Sequence, residues 1–491
     1  MSTGVTSTGE RCSQAPEWDA LYIGGRWVSR TGSPAFEVVS PHDARPVGRA
    51  PMATADDVDM AVTCAREAFD AGPWPHLEPG QRVEALRRFA DLYEARQEEM
   101  AVLITAESGS PITFSRLAQV WAPWSLLDTT LNLASVIDWE EERVGAFGTT
   151  LVRREPVGVV AAIAPWNVPQ MTIISKLAPA LVAGCTIVVK PSPETPLDGL
   201  LMAEWIDEAG LPEGVVSVLP ADREVGEHLV SHPGVDRVAF TGSTAAGRRI
   251  GSICGEQIKR VGLELGGKSA AIVLEDADLD ETITGLRFAS FMNSGQACAA
   301  QTRVLVPRGR HDEIADALGE MARGLVVGDP LDDATEIGPM VSRRHQARVA
   351  GYIEVGIDEG ARVAAGGPGA PEGLSGGCYV RPTVFASVGN AMRIAREEIF
   401  GPVVVVIPYD GEDDAVRIAN ESDYGLAGSV WTADPAHGLE VARRVRTGTI
   451  GVNKYAPDLS SPFGGYKSSG IGREYGREGL EEYFELKSIA H

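Results

Sequence analysis

The strongest constraint on the fold is the regular alternation of strand-like and helix-like segments that begins at Val157. Gly158–Ile163 and Thr186–Lys190 have the apolar, largely β-branched composition of buried strands. A helix is predicted next, with Thr195–Pro196 as its N-cap and first residue and Gly210 at its end. Repeated strand–helix–strand units form a mostly parallel sheet with helices on both faces. Such sheets bind ligands beyond the carboxyl ends of their strands.

A second series of the same kind follows Lys268. Helical segments at 311–325 and 341–359 lie between its strands, which are predicted at Ala270–Leu274, Arg303–Val306, Thr383–Phe385 and Val403–Ile407. A chain of 491 residues is too long for one simple core and is expected to form two or three domains. We therefore predict an α/β protein with two doubly wound, Rossmann-like parallel-sheet domains and a site in the cleft between them.

Two segments do not follow this alternation. Residues 140–154 are charged and β-branched around a turn at 145–148, which predicts a hairpin that leaves the main body. Residues 1–18 are polar and rich in small residues at the start, which predicts a flexible tail.

One cysteine and one glutamate have surroundings suited to chemistry. Cys298 lies in the run Gly-Gln-Ala-Cys-Ala-Ala, whose small residues leave the thiol accessible. Glu264 ends an apolar run, and two glycines follow at 266 and 267. A thiol needs a base or a positive dipole to become a nucleophile, and Glu264 is a candidate for that base. Taken alone, a single cysteine is more often an inert core residue.

These two motifs resemble the aldehyde dehydrogenase superfamily, in which Leu-Glu-Leu-Gly-Gly-Lys precedes Gly-Gln-x-Cys at the spacing found here. Further blocks agree in order and spacing, namely Pro165–Asn167, Lys190–Ser192, Phe240–Thr244, Glu397–Pro402 and Pro462–Gly470. The resemblance covers roughly residues 20 to 488.

The resemblance implies a role for each of five catalytic residues. Cys298 is the expected nucleophile, and Asn167 is the expected donor to the substrate oxyanion. Glu264 is the expected general base, and Lys176 and Glu474 are expected to relay protons to and from it. Alone, Asn167 would be a turn residue, Glu264 a surface charge, and Lys176 and Glu474 exposed groups that serve solubility.

The resemblance also implies NAD as the cofactor, with NADP as an alternative. Lys190 and Glu398 are expected at the adenine and nicotinamide riboses, and Ser243 at the start of a helix that receives the pyrophosphate. Pro193 stands where NAD-preferring members carry a glutamate, so weaker discrimination against NADP is expected. The full cofactor set is Ala164, Pro165, Trp166, Lys190, Gly242, Ser243, Gly247, Leu265, Glu398 and Phe400.

The substrate predicted from the resemblance is an uncharged aliphatic or aromatic aldehyde. Tunnel-lining positions are apolar and carry no fixed charge, namely Val168, Met171, Thr172, Met292 and Phe463. No arginine lies in the 453–463 loop, where family members that act on carboxylate-bearing semialdehydes often hold the substrate acid, but Lys454 lies in that loop and keeps a charged substrate open. Three alternatives stay open: a CoA-acylating semialdehyde dehydrogenase, a thiol hydrolase, and a non-catalytic binding protein. Glu264 disfavours the first, since a hydrolytic base would waste the thioester, and no histidine motif pairs with the cysteine for the second.

The resemblance also leads us to expect particular domain bounds and a partner subunit. We expect a dinucleotide-binding domain at 19–136 and 156–264 and a catalytic domain at 265–468. Residues 137–155 and 477–491 are expected to form an oligomerisation hairpin and a C-terminal strand that pairs with the hairpin of a neighbouring subunit, in a homodimer or homotetramer.

Composition excludes several classes of partner. A net charge of −24 disfavours nucleic acid and anionic membranes, and no apolar run is long enough to span a bilayer. The six cysteines are scattered without metal-ligand spacing, which predicts no metal site and a reducing, cytoplasmic environment.

Overall fold

The structure, a computed structural model, describes residues 16–491. The predicted tail at 1–18 therefore lies outside the described residues, apart from its last three. Trp18 is part-buried, and its indole nitrogen donates to Glu204 Oε1 at 2.9 Å. The prediction of a flexible tail is thus wrong at residue 18, because a large aromatic ring there packs against the core.

The strands are short and distributed along the whole chain. The first ten are β1 (Ala20–Ile23), β2 (Arg26–Ser29), β3 (Ala35–Val39), β4 (Pro46–Pro51), β5 (Glu140–Gly145), β6 (Gly148–Pro156), β7 (Val159–Ile163), β8 (Thr186–Lys190), β9 (Val216–Val218) and β10 (Arg237–Thr241). The next are β11 (Arg260–Glu264), β12 (Ala270–Val273), β13 (Arg303–Pro307), β14 (Arg362–Ala365), β15 (Thr383–Ala386), β16 (Val403–Tyr409), β17 (Gly428–Trp431), β18 (Gly451–Val452), β19 (Gly470–Ile471) and β20 (Phe484–Ala490).

Helices occupy most of the intervals. Those before residue 260 are α1 (Ala55–Asp70), α2 (Pro79–Ala95), α3 (Gln97–Ser108), α4 (Ile112–Phe114), α5 (Ala122–Leu133), α6 (Pro169–Ala183), α7 (Leu197–Ala209), α8 (Arg223–Ser231) and α9 (Thr244–Gln257). The others are α10 (Leu279–Phe291), α11 (His311–Arg323), α12 (Arg343–Asp358), α13 (Arg393–Arg396), α14 (Glu412–Asn420), α15 (Pro435–Arg444) and α16 (Gly476–Glu481). A π-helical segment, Ser115–Trp121, joins α4 to α5.

The first large sheet has eight strands in the order β19-β11-β10-β7-β8-β9-β1-β2. The five strands from β11 to β9 are parallel, and antiparallel strands close both edges. Val160 and Ala162 of β7 face one hydrophobic cluster, while Val159 and Ala161 face another. Both faces of the sheet are therefore covered, which explains the uninterrupted apolar composition of these strands.

The second large sheet has seven strands in the order β14-β15-β16-β13-β12-β17-β18. All its pairs are parallel except β14 with β15. Ala270 and Ile272 of β12 face one cluster, and Ala271 and Val273 the other. The predicted α/β class with two doubly wound parallel sheets is confirmed, whereas the exact domain bounds stay a prediction.

The C-terminal strand pairs within the same chain, which corrects one prediction. The third sheet has the order β20-β6-β5, and Phe484 to Ala490 run antiparallel to Pro156 to Thr150. The expected hairpin is thus present, but the expected pairing with a neighbouring subunit is wrong. The reason is that α16 packs beside α5 and α6, and this contact returns the chain to the start of β7.

The start of α7 is capped from elsewhere in the fold. Thr195, the predicted N-cap, makes no such bond, and its hydroxyl has no partner among residues 16–491. The carboxylate of Glu107, at the end of α3, instead accepts from the backbone N–H groups of Leu197 at 3.1 Å and Asp198 at 3.2 Å. A carboxylate at a helix N-terminus satisfies free donors and interacts favourably with the helix dipole.

Candidate active site

Three loops meet at the segment that joins β11 of the first large sheet to β12 of the second. The loop after β11 contacts the cysteine loop so closely that a Cβ on Gly267 would lie 2.5 Å from the Cys298 carbonyl oxygen. A Cβ on Gly295 would lie 2.1 Å from the carbonyl oxygen of Gly401. These close approaches need glycine, because any side chain would displace backbone. The predicted motifs around Glu264, Cys298 and Glu398 are therefore brought together.

The cysteine loop has a strained backbone. It connects α10 to β13, and Asn293 and Ser294 adopt the left-handed region with φ of 49° and 59°. Left-handed conformations of residues other than glycine are uncommon and cluster at functional sites. They turn the chain sharply, so that Cys298 lies half-buried at the meeting point of the loops.

The thiol of Cys298 is held in its protonated form in this arrangement. Burial, reinforced by the carboxylates of Glu398 and Glu264, raises its pKa to about 12, although the backbone N–H groups of Ala299 and Cys298 act in the opposite direction. A thiol with such a pKa is a poor nucleophile at neutral pH. The site therefore needs a base close to the sulfur.

Asn167 lies directly beside the cysteine loop. It follows β7, is buried, and its side-chain Nδ2 donates to the carbonyl oxygen of Gln296 at 2.9 Å. Gln296 is two residues before Cys298, so the Asn167 amide contacts the cysteine loop close to the cysteine. A buried amide donor at this place can stabilise negative charge that develops on a carbonyl bound over the thiol.

Glu264 is a buried carboxylate without hydrogen bonds. It ends β11 in register with Thr241 of β10 and Gly470 of β19, and neither of its carboxyl oxygens has a partner among residues 16–491. A Cβ on Gly464 would lie 2.7 Å from Glu264 Oε1, so this glycine leaves room for the carboxylate. Burial raises the pKa of Glu264 well above its usual value, and the charge of Glu474 raises it further. Such a carboxylate is suited to accept a proton near neutral pH.

Lys176 and Glu474 form a buried ion pair beside this carboxylate. Lys176 Nζ lies 2.7 Å from Glu474 Oε1 and donates to Thr241 Oγ1 at 2.6 Å. The positive charges of Lys176 and Arg473 lower the pKa of Glu264, opposing burial and Glu474. The sequence did not single out Arg473 or Thr241 as site residues. Thr241 lies within the Phe240–Thr244 block, and Arg473 directly precedes Glu474.

The helix start predicted to receive a pyrophosphate is present at α9. Ser243 is its N-cap and accepts from the N–H of Ala246 at 3.3 Å, while the N–H of Gly242 donates to the Glu264 carbonyl at 3.0 Å. A Cβ on Gly247 would lie 2.4 Å from Leu265 Cδ2, so this glycine lets α9 pack against the Glu264 loop. The free N–H groups of the first turn provide anion donors.

Lys190 is buried at the end of β8. The Lys190 Nζ donates to the Pro191 carbonyl at 3.1 Å, and the carbonyl oxygen of Lys190 accepts from the N–H of Ala164 at 3.1 Å. Burial lowers the pKa of Lys190 to about 8, although Glu194 and Asp222 raise it. The lysine is therefore close to Glu194, the residue after Pro193.

The remaining predicted cofactor residues are Glu398, Trp166, Phe400 and Pro165. Glu398 accepts from the Gly267 N–H at 2.9 Å, and burial raises the pKa of Glu398 to about 7. Trp166 and Phe400 pack edge to face with ring centroids 5.4 Å apart. His345, which the sequence did not point to, completes this cluster at 5.2 Å from the Trp166 ring. Pro165 precedes Trp166 in the same loop and is part-buried.

Aromatic side chains border the other approach to Cys298. Phe463 stacks on Tyr475 with centroids 5.1 Å apart, and Met292 packs with Tyr455. Burial raises the pKa values of both tyrosines, and ionisation of Cys298 would raise them further, so both phenols lie near the thiol. Phe463 and Met292 were predicted here; the tyrosines were missed because neither belongs to a recognisable motif.

The comparisons with known proteins agree with this arrangement. The sequence profile of the aldehyde dehydrogenase family matches residues 27–489. The chain belongs to the aldehyde dehydrogenase family. The predicted family and enzyme class, an oxidoreductase acting on an aldehyde, are confirmed.

Three relatives illustrate the similarity. The geranial dehydrogenase of Castellaniella defragrans is 49% identical over 470 residues, covering 96% of this chain and 98% of that protein. A Mycobacterium tuberculosis aldehyde dehydrogenase solved with NAD⁺ is 49% identical with a TM-score of 0.96, covering 97% of this chain and 99% of that one. A Pseudomonas syringae aldehyde dehydrogenase solved with NAD⁺ and octanal is 40% identical with a TM-score of 0.93, covering 96% of each chain. The predicted NAD cofactor is confirmed at the level of these relatives.

Within residues 16–491, no helix combines the length and apolar character needed to cross a membrane. In the same range, no cluster of three histidine, cysteine, aspartate or glutamate side chains is arranged to hold a metal ion.

Proposed function

We propose that the chain oxidises an aldehyde to a carboxylic acid through a thiohemiacetal and a thioester on Cys298, with hydrolytic release. The observation that carries this proposal is the convergence of three groups. The buried Asn167 amide donates to the carbonyl of Gln296, two residues before the half-buried thiol. The buried carboxylate of Glu264, which has no hydrogen-bond partner among residues 16–491, is close enough to act on the pKa of that thiol.

The first steps use Cys298 and Asn167. The thiol gives its proton to Glu264, the candidate base, and the sulfur attacks the carbonyl carbon. The carbonyl oxygen becomes negatively charged as its double bond is lost. Asn167 Nδ2 now bonds the Gln296 carbonyl, and it stabilises the substrate oxygen when it donates there instead. When the carbonyl re-forms, hydride leaves the same carbon, and bound NAD⁺ accepts it. Ser243, Lys190 and Glu398 fit that cofactor, because they offer a helix N-terminus for its phosphates, a buried ammonium group and a part-buried carboxylate.

The last step uses Glu264. Its ionised carboxylate takes a proton from water, and the resulting hydroxide attacks the thioester carbon and releases the acid and the thiol. No donor among residues 16–491 occupies the buried carboxylate oxygens, so both are free to accept a hydrogen bond from a bound water. We propose that Lys176 and Glu474, whose charges act on Glu264, relay its protons onward after each transfer.

The substrate we propose is an uncharged aldehyde. Phe463, Tyr475 and Met292 form an apolar approach, and Lys454 is exposed to solvent rather than turned toward it. Geranial and octanal, named for two relatives, are uncharged as well. The test is NADH production by the purified protein over aliphatic, aromatic and carboxylate-bearing aldehydes. Higher kcat/KM for the charged class would contradict the proposal.

We further propose a cytoplasmic homo-oligomer, dimeric or tetrameric. The five cysteines among the described residues are free, in keeping with a reducing compartment. The β5–β6 hairpin exposes Val144 and Phe147 almost completely, at 88% and 106% of their reference areas. Exposed apolar side chains on an open-edged sheet are typical of an association surface.

Cofactor preference depends on residues 192 to 194. Pro193 offers no carboxylate, but Glu194 accepts from Ser192 Oγ at 2.6 Å and from Arg344 at 3.1 Å, close to Lys190. We expect Glu194→Gln to lower the ratio of NAD to NADP kcat/KM about fivefold, because a carboxylate repels the 2′-phosphate of NADP. Pro193→Glu is expected to raise that ratio.

The measurement is kcat/KM for both cofactors at one ionic strength. Glu372→Gln, on an exposed loop, is the charge-matched control and leaves the ratio unchanged. An unchanged ratio in both Glu194→Gln and Pro193→Glu would show that this segment does not face the ribose.

The ion pair beside Glu264 gives a prediction for pH dependence. Glu264 must be ionised to act, so the rate of thioester hydrolysis rises with pH through its pKa. Loss of positive charge in Lys176→Met raises that pKa, and loss of negative charge in Glu474→Gln lowers it. We expect the acidic limb of the kcat profile to move by about one pH unit, upward in the first variant and downward in the second.

The profile is recorded from NADH absorbance under saturating substrates. Arg443→Met, at an exposed ion pair with Glu440, serves as the control and leaves the limb in place. Shifts of both site variants in the same direction would contradict the proposed electrostatic coupling.

A further inference from the structure

The peptide carbonyl of Asn167 accepts two side-chain amides from distant parts of the chain. Gln119 Nε2 donates to it at 3.0 Å, and Asn293 Nδ2 donates at 2.8 Å. We propose that Gln119 and Asn293 are positioning residues that fix this carbonyl and thereby aim the Asn167 side-chain amide at the oxygen of the bound aldehyde. The inference rests on the proposed role of Asn167 as oxyanion donor.

Gln119 reaches the carbonyl because of an irregularity in its helix. It lies in the π-helical segment Ser115–Trp121, between α4 and α5. A π turn shifts side chains around the helix axis. Such turns are rare in proteins overall, but those that occur are frequently found at functional sites. Here the shift places a fully buried amide against the loop after β7.

Asn293 reaches the same carbonyl from the cysteine loop. Its left-handed backbone, with φ of 49°, points the side chain back toward Asn167. Asn293 Nδ2 also lies 3.4 Å from the Gln296 carbonyl, which accepts from Asn167 Nδ2 at 2.9 Å. Asn167, Asn293 and Gln296 thus form a closed hydrogen-bonded ring. The ring links the position of the oxyanion donor to that of the nucleophile loop.

Neither positioning residue is well explained by stability. Gln119 Oε1 and Asn293 Oδ1 are buried and have no hydrogen-bond partner among residues 16–491. A buried amide with an unmade bond stabilises less than an apolar side chain of the same shape. Orientation of the Asn167 peptide plane is what these amides supply, because fixing its oxygen fixes the direction of the attached Cα–Cβ bond.

The first test is Gln119→Met, which keeps the volume and removes the donor. Asn293 still donates to the Asn167 carbonyl, so we expect an unchanged melting temperature and an unchanged Kd for NAD⁺. The rate of the first NADH turnover, measured by rapid mixing, is expected to fall about tenfold, because misplacing a catalytic group by a fraction of an ångström slows the chemical step. A wild-type rate, or a loss that follows a lowered melting temperature, would overturn the inference.

The second test is Gln119→Glu, which gives a readout that a packing role would not move. When protonated, the buried carboxyl donates to the Asn167 carbonyl; when ionised, it repels that oxygen. The first-turnover rate relative to the unaltered enzyme should therefore fall as pH rises, whereas the ratio for Gln119→Met should stay flat. A flat ratio for both variants would overturn the inference.

Two further variants separate this inference from the proposed function. Thr130→Val, a buried polar-to-apolar change in α5 whose hydroxyl donates to the Leu126 carbonyl of its own helix, is the matched control and keeps the full rate. Asn167→Ala should slow the first turnover, and Gln119→Met should add nothing in that background. If Asn167→Ala is slow while Gln119→Met alone is normal, only the positioning role fails. If Asn167→Ala has the full rate, the proposed donor role fails and the inference with it.

Discussion

Cys298→Ala is expected to abolish NADH production from any aldehyde, with a loss of at least about 10⁴-fold, while the affinity for NAD⁺ stays near normal. The sulfur forms the bond to the substrate carbon, and alanine offers no replacement. The groups proposed to hold the dinucleotide lie on other elements, with Lys190 on β8 and Ser243 at the start of α9. Their geometry does not depend on the thiol.

The measurement pairs steady-state assays with titration of NAD⁺ by calorimetry or fluorescence. Cys64→Ser and Cys378→Ser, at free cysteines outside the site, are the matched controls and retain the full rate. Substantial residual turnover in Cys298→Ala, or an equal loss of NAD⁺ affinity, would contradict the nucleophile assignment. The Pseudomonas syringae relative was crystallised with octanal as a cysteine-to-alanine mutant, which supports the design.

Glu264→Gln is expected to separate the two half-reactions. Where water takes the thiol proton in place of Glu264, oxidation on the sulfur yields a burst of at most about one NADH per site. Subsequent turnover falls by about 10²- to 10⁴-fold, because no base activates water for hydrolysis. The fold should tolerate this change. A neutral amide removes the repulsion between Glu264 and Glu474 and buries no unpaired charge.

Rapid mixing of enzyme, NAD⁺ and aldehyde measures the burst and the slow phase. Hydroxylamine should restore turnover, since an added nucleophile cleaves a thioester without the missing base. Glu256→Gln, on the exposed end of α9, is the control and shows the unaltered steady-state rate. A steady-state rate within a few-fold of the unaltered enzyme would show that Glu264 is not the base.

Local pattern determined most of the fold. The apolar runs that predict strands after Val157 and Lys268 correspond to β7, β8, β12, β13, β15 and β16, with ends that differ by one or two residues. Such runs depend only on neighbouring residues, because a strand buried on both faces must be apolar at every position. The motifs likewise contained Cys298, Glu264 and Asn167, and the structure brings these three together.

Contacts between distant residues were decided by the tertiary structure alone. The N-cap of α7 comes from Glu107, some ninety residues before it, and not from the adjacent Thr195. The C-terminal strand pairs with β6 of its own chain, because α16 first docks beside α6. Neither of these two long-range contacts produces a periodic pattern in the sequence, since such a contact constrains only the residues that meet.

The same limit applies to the site. The sequence named the groups proposed to do chemistry, but not the side chains that hold them. Gln119 is 48 residues from Asn167 along the chain, and its inward direction depends on a π turn that composition does not indicate. Arg473 likewise acts on Glu264, and His345 likewise packs against Trp166, through contacts that only the tertiary structure creates. Residue type and spacing determined which reaction this chain is built for; tertiary packing decided the distances, the burial and the pKa directions, because each of these depends on atoms from several elements at once.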